Sequence, residues 1–207
     1  MPPMPRAKAR PGAGGPVPAW TKGLPITRRY VLTGTPGAGK TSILRCLAEL
    51  GYAVVEEAAT AVVAQAQARG EDEPWTRTSF IDQVVDLQRK RQLGTSSTEP
   101  VQVFDRSPVC TYALAGYLGL GVSRALATEI ERITSEGIYE RQVFFIRNLG
   151  FCEPTSARRI SFQQSLVFEG VHEQSYREFG YELIDVPADR LNSRVAAISS
   201  TISRLAL

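Results

Sequence analysis

This 207-residue chain has a single histidine, His172, and three cysteines, Cys46, Cys110 and Cys152. The cysteines are odd in number and far apart, so neither a disulfide framework nor a zinc site is expected of them. They read as reduced, mostly buried thiols of a cytoplasmic protein, and His172, alone in a helical pattern, reads as a surface or packing residue. No run approaches the roughly 20 apolar residues that span a bilayer, and no short apolar stretch near the start resembles a signal-peptide core. No membrane partner is therefore expected. Acidic residues are missing from the first thirty positions, which hold six basic ones (Arg6, Lys8, Arg10, Lys22, Arg28, Arg29). Without those six, the 24 basic residues fall to 18 against 21 acidic, so the net charge of +3 becomes −3 for the remainder. The same thirty residues hold seven prolines and four glycines, a composition that favours disorder over packing. Residues 1–28 are thus expected to be a solvated, disordered leader. With six charges, and aromatics (Trp20, Tyr30) only towards its far end, the leader is a poor nucleic-acid ligand. Residues 29–207 are expected to form one domain, since 43% hydrophobic content suffices for one good-sized core.

What the chain does have is Gly34-Thr35-Pro36-Gly37-Ala38-Gly39-Lys40-Thr41, which fits G-x-x-x-x-G-K-[ST] at every fixed position. Glycines let successive backbone N–H groups turn inward around a phosphate, and the helix that follows adds the positive end of its dipole. A lysine reaches the outer phosphates. The hydroxyl of Thr41 is the expected ligand for the Mg²⁺ that accompanies the nucleotide. Arg29–Thr33 reads as an apolar strand before the loop, and Ser42–Leu50 as an amphipathic helix after it, stopped by Gly51. Strand, glycine loop and helix in that order mark a phosphate-binding loop for ATP, lined by Gly34 to Thr41 together with Ser42.

Downstream, short apolar strands alternate with longer helical patterns. Strands are expected near 51–55, 101–105, 143–146 and 180–187, with helices between them and a terminal helix marked by Val195, Ile198, Ile202 and Leu205. This is the pattern of an α/β P-loop NTPase, a five-stranded, mostly parallel sheet with helices on both faces.

In such a fold, chemistry collects at the C-terminal ends of the strands. Asp105 ends the third strand, where a carboxylate would complete a Mg²⁺ shell, so Thr41 and Asp105 form the candidate metal pair. The glutamate that a remodelling motor places next is missing, and Arg106-Ser107 follows instead. Ser107 before Pro108 also reads as a helix N-cap. Glu56 and Glu57 end the second strand, and alternation sends one towards the site and one away. Glu57 is the favoured candidate for handling the proton of an acceptor hydroxyl. Arg158 and Arg159 lie in the irregular stretch after the fourth strand, where a mobile lid would bring cations over the transferring phosphoryl group. Trp75, in a polar loop, either stacks on a flat substrate ring or plugs a gap.

The order of these features resembles that of a known family. The phosphate loop is followed by a Gly51-Tyr52 strand ending in glutamate, Phe104-Asp105-Arg106-Ser107, Phe144-Phe145-Ile146, and Tyr176 through Pro187 (Tyr-Arg-Glu-Phe-Gly-Tyr-Glu-Leu-Ile-Asp-Val-Pro). It looks like the AAA-type ATPase/kinase family that includes the ribosylnicotinamide kinase domain of the NadR regulator, over about residues 29–207. That resemblance implies ATP and Mg²⁺ as cofactors, a metal or phosphate role for Asp105 and Arg106, and a lid arginine at position 158 or 159. Catalysis would then rest on Lys40, Glu57, Asp105, Arg158 and Arg159, with ATP phosphorylating a hydroxyl of a small molecule such as a nucleoside or riboside. The alternative is a regulatory ATP switch or slow ATPase that acts through a protein partner. A GTPase is excluded by the absence of Asn-Lys-x-Asp.

Overall fold

The computed structural model describes residues 27–96, 98–152 and 160–206. Five strands alternate with helices: β1 (Arg28–Gly34), α1 (Lys40–Glu49), β2 (Ala53–Val55), α2 (Ala58–Ala68), α3 (Thr78–Leu93), β3 (Val101–Asp105), α4 (Pro108–Tyr117), α5 (Arg124–Ser135), β4 (Gln142–Ile146), α6 (Phe162–Glu178), β5 (Glu182–Val186) and α7 (Leu191–Leu205). A single 3₁₀ turn, Pro74–Thr76, precedes α3. The sheet order is β2-β3-β1-β4-β5, and every pairing is parallel. The expectation of a mostly parallel sheet therefore sharpens to a wholly parallel one.

β1 shows why the sheet is sandwiched. In a strand of period two, Tyr30 and Leu32 face one side and Val31 the other, and all three are fully buried. Tyr30 and Leu32 join Val103, Phe144 and Ile146 in a core covered by α1 and α7, through Ile43, Leu47, Ile198 and Ile202. Val31, Phe104 and Val143 belong to a second core built with α2 to α6, through Val62, Ile81, Val84, Val109, Ile130 and Tyr176. Both faces are apolar, so neither can be left in water.

β2 is shorter than expected. The chain leaves α1 through a left-handed Gly51 (φ 91°), whose N–H bonds the Ala48 carbonyl while that of Tyr52 bonds the Leu47 carbonyl. Closing α1 this way occupies residues 51–52, so pairing begins at Ala53. The same device at Gly180 and Tyr181 closes α6 and delays β5 to Glu182.

The topology sets the site. β1 lies between β3 and β4; the chain leaves β1 towards β2 at one edge and leaves β3 towards β4 on the other side, so the C-terminal ends of β1 and β3 open into a crevice. Leu32 is level with Asp105, and the Arg106 N–H bonds the Leu32 carbonyl at 3.0 Å.

Candidate active site

The loop after β1 curls round the first turn of α1. Gly34 has φ 118°, and a Cβ there would sit 2.2 Å from the Ile146 carbonyl oxygen, so only glycine lets β1 turn beside β4. Gly39 caps α1 in the left-handed region (φ 83°). Pro36, Gly37, Gly39, Lys40, Thr41 and Ser42 line one cavity, while Thr35 and Ala38 are buried behind it. Lys40 donates from Nζ to the carbonyls of Thr35 (2.8 Å) and Gly34 (3.2 Å). Burial and the nearby Arg106 push its ammonium down to about 8, against the pull of Asp105 and Glu57.

The back of the loop is held by side chains from the C-terminal third of the chain. Thr35 donates its hydroxyl to Glu169 of α6. Arg194 of α7, only 3% exposed, donates to the carbonyls of Ala38 (2.9 Å) and Arg147 (3.1 Å). Arg147, just past β4, lies over the Phe145 ring and pairs with Glu169, Glu173 and Asp185. Because Arg147 neutralises Glu169, a carboxylate can sit beside a loop built for anions without emptying it of positive potential.

Three charged residues meet at the strand ends. Asp105 is 5% exposed. Burial lifts its carboxyl to about 6, with Lys40 opposing and Glu57 adding to the rise. Arg106 is the sole non-glycine with positive φ among the described residues (73°), and its Nε donates to Glu57 Oε1 at 2.5 Å. A second contact runs from its Nη1 to Nε2 of His172 at 2.9 Å. Burial would raise the Glu57 carboxyl, but Arg106 and Lys40 outweigh it and hold it below the usual range. Glu57 also accepts from Thr60 at 2.7 Å and lines the cavity. Glu56 is exposed, and its backbone carbonyl accepts from Arg91.

His172 is fully buried, and burial together with Arg106 keeps it well below its ordinary pKa. Ser107 stands at the N-cap of α4, but its side chain makes no cap bond. Instead its hydroxyl meets Tyr176 Oη at 2.7 Å, where Cys110 Sγ also lies at 3.0 Å. The hydroxyl is drawn inward to satisfy a buried phenol, and Pro108 supplies the pre-set helical φ at the first position.

The whole cavity that the loop and these charges line has a volume of about 620 Å³. Its lining also includes the apolar Val63, Trp75, Phe80, Leu114, Tyr117 and Phe168, and one amide–hydroxyl pair, Gln88 with Thr111 at 2.9 Å. Trp75, half-buried, is part of this lining. Arg158 and Arg159 lie outside the described residues. Ile160 and Gln164, which follow in sequence, are among the cavity's lining residues.

Oδ1 of Asp105 is buried and has no hydrogen-bond partner among the described residues. A buried anionic oxygen in that state calls for a cation, and Thr41 lines the same cavity. Among the described residues no three His, Cys, Asp or Glu side chains form a metal cluster. A hard cation here would therefore take its other ligands from a nucleotide and water, which is how Mg²⁺ is usually held.

Sequence reasoning did not place His172, Glu169, Arg147 or Arg194 at the site. The one sequence signal of His172, Glu169 and Arg194 was membership of polar positions in helical patterns, which solvated surfaces share, and Arg147 showed only as the first residue after a strand.

Comparison with known proteins agrees with this geometry. The family model described as an AAA domain matches residues 29–194. The chain belongs to that family. No curated protein matches the sequence. Among solved structures it is similar to the NadR protein in complex with NAD and AMP-PNP, at 14% identity and a TM-score of 0.61, over 85% of this chain and 49% of that one. It thus spans about half the length of that relative. A deoxyadenosine kinase from M. mycoides with dCMP and dCDP matches at 15% identity and 0.59, over 86% and 99%. Thymidylate kinase from Ehrlichia chaffeensis matches at 13% and 0.57, over 86% and 100%. These likenesses establish the P-loop NTPase fold. No helix among the described residues is long and apolar enough to cross a membrane.

Proposed function

We propose that this chain is a P-loop kinase that transfers the terminal phosphoryl group of ATP to a hydroxyl of a small, ring-bearing molecule, a nucleoside or related riboside. The observation that carries the proposal is the apolar chamber continuous with the phosphate loop. A switch or simple ATPase needs space for one nucleotide, whereas this cavity adds an aromatic-walled compartment suited to a second, flat molecule. Among the described lining residues the only cations are Lys40 and Arg106, both at the phosphate end. The acceptor compartment therefore favours an uncharged ring over a phosphomonoester. The kinases and the nucleotide-bound NadR protein found among similar folds support the same class.

The residues divide the work. The loop from Gly34 to Ser42 cradles the phosphates with backbone N–H groups, and Lys40 adds charge to the outer ones. Arg106 faces the terminal phosphate from the end of β3. Thr41 and Asp105 would hold Mg²⁺, which supplies charge neutralisation on the phosphate oxygens when bound. Glu57 stays ionised at neutral pH and accepts the hydrogen bond of the acceptor hydroxyl. The hydroxyl oxygen forms the new P–O bond as the bond to the β,γ-bridging oxygen breaks. ADP leaves with that electron pair, and the hydroxyl proton passes to Glu57. Arg158 and Arg159, outside the described residues, are the candidates for a cation that neutralises charge on the phosphoryl group. Free thiols at Cys46, Cys110 and Cys152 suit a cytoplasmic enzyme.

An acceptor screen tests the proposal. Nucleosides, ribosides and simple alcohols are incubated with ATP and Mg²⁺, ADP release is followed, and products are weighed by mass spectrometry. Stimulated ADP release with a phosphorylated ring-bearing product is expected. ADP release that no small molecule alters, but a protein partner does, would replace the kinase by a nucleotide switch.

A further inference from the structure

His172 is the residue at this site whose placement carries information beyond the phosphate-transfer scheme. It belongs to α6, 66 residues after Arg106, and is wholly buried against it. A guanidinium can only donate, so Nε2 of His172 must accept the 2.9 Å contact from Arg106. The ring proton then belongs on Nδ1, and Nδ1 lies 2.9 Å from the Phe168 carbonyl, an acceptor one turn back on the same helix. Both contacts demand the same neutral tautomer. The Phe168 ring, 4.2 Å away, packs on the imidazole and limits its rotation. The cations that face His172 are Arg106 from the end of β3 and Lys40 from α1. A second positive charge on its ring would meet both.

Arg106 needs such a partner because its own backbone is strained. A β-strand that ends in a left-handed arginine re-aims the side chain at once, and that conformation persists only if the surroundings hold it. Glu57 holds one edge of the guanidinium, through Nε. As the group proposed to meet the acceptor hydroxyl, Glu57 cannot be a fixed post throughout a reaction. His172 grips Nη1, lies deeper, and forms no part of the cavity lining. Two more turns of α6 are fastened near the same place, Glu169 to Thr35 and Tyr176 to Ser107. The imidazole is thereby carried by a helix fixed at both ends of the site.

We infer that His172 is a positioning residue whose neutral imidazole holds the Arg106 guanidinium in line for the terminal phosphate of the nucleotide. This rests on the assignment of ATP to the phosphate loop and adds the device that aims its arginine. It explains why the chain's one histidine is buried beside a cation, an arrangement that hydrophobic packing alone would not select.

The test compares two substitutions of equal length. His172→Gln keeps an acceptor that can reach Arg106, and His172→Met fills the same space without one. Affinities for AMP-PNP and ADP, each with Mg²⁺, are measured by calorimetry on the full chain. Loss of one aligned charge-assisted hydrogen bond should lower the preference for AMP-PNP over ADP about tenfold in His172→Met. ADP affinity should stay unchanged, and His172→Gln should stay within about twofold of the wild type. In an Arg106→Met background the His172 substitution should change the preference no further, which separates positioning from general loosening. A full preference retained in His172→Met, or an equal loss in both variants, would overturn the inference while leaving nucleotide binding intact. A wild-type protein that binds neither nucleotide would instead overturn the ATP assignment beneath it.

Discussion

Asp105→Asn should make the nucleotide-free protein more stable while weakening its nucleotide site. The reasoning starts from a carboxylate that is 5% exposed, with one oxygen lacking any partner among the described residues. Burial lifts its pKa from 3.8 to about 6. A raised folded-state pKa means that the folded protein holds this proton more tightly than the unfolded chain. Stability from that source is present below pH 3.8 and is lost as pH rises through about 6. At pH 7.5 the group is ionised in both states, and the folded state bears a penalty of about 3 kcal/mol, taking about 1.4 kcal/mol per pKa unit. Asparagine keeps the shape and removes the charge, although Lys40 loses some of its counter-charge. The expected gain is therefore somewhat under 3 kcal/mol, a rise in Tm of up to roughly 6–12 °C for a domain of this size. At pH 5 the wild-type penalty falls to about half, so the difference between the two proteins should narrow. Scanning calorimetry at both pH values, with and without Mg²⁺ and AMP-PNP, reads all of this. The added ligands should raise the Tm of the wild type far more than that of Asp105→Asn. An asparagine variant no more stable than the wild type at pH 7.5, and equally stabilised by Mg²⁺-nucleotide, would refute the argument.

Lys40 is pushed down to about 8 by burial, so its charge is lost as pH rises through that value. AMP-PNP affinity, followed by calorimetry between pH 7 and 9.5, should weaken above pH 8, and Lys40→Met should abolish binding while keeping a cooperative thermal transition. A nucleotide affinity flat across that range would count against Lys40 as the phosphate ligand. Glu57→Gln should leave AMP-PNP affinity within a few-fold and slow transfer to the identified acceptor by about 10²–10⁴, as for other acid–base groups, whereas Glu56→Gln, altering an exposed side chain, should leave single-turnover rates unchanged. Gly34→Ala would drive a Cβ to 2.2 Å from the Ile146 carbonyl oxygen. It should lower the unfolding free energy, read from urea titration, by about 3 kcal/mol or more on the scale of strained and overpacked sites.

Some of this protein could be read directly from the order of its residues. A phosphate loop is a local object: its glycines, lysine and threonine act through a backbone path of eight residues, and the strand and helix around it follow from adjacent periodicity. Asp105 was legible for a related reason, since a parallel strand buried on both faces leaves its C-terminal residue as the first polar group at the rim. Strand lengths were less legible, because the glycine closures after α1 and α6 use residues that fit a strand pattern equally well. The partners of the site came only with the tertiary structure. His172, Glu169 and Arg194 lie 66, 134 and 156 residues from Arg106, Thr35 and Ala38, and no periodicity encodes which of a helix's polar positions will meet a loop from a distant strand. Whether Ser107 caps its helix or bonds Tyr176 was likewise decided by what α6 brings alongside. Local sequence determined where the glycine loop and its lysine lie; the packing of α6 and α7 across the parallel sheet decided how the loop and Arg106 are held together, because only folding puts those buried polar groups within reach of one another.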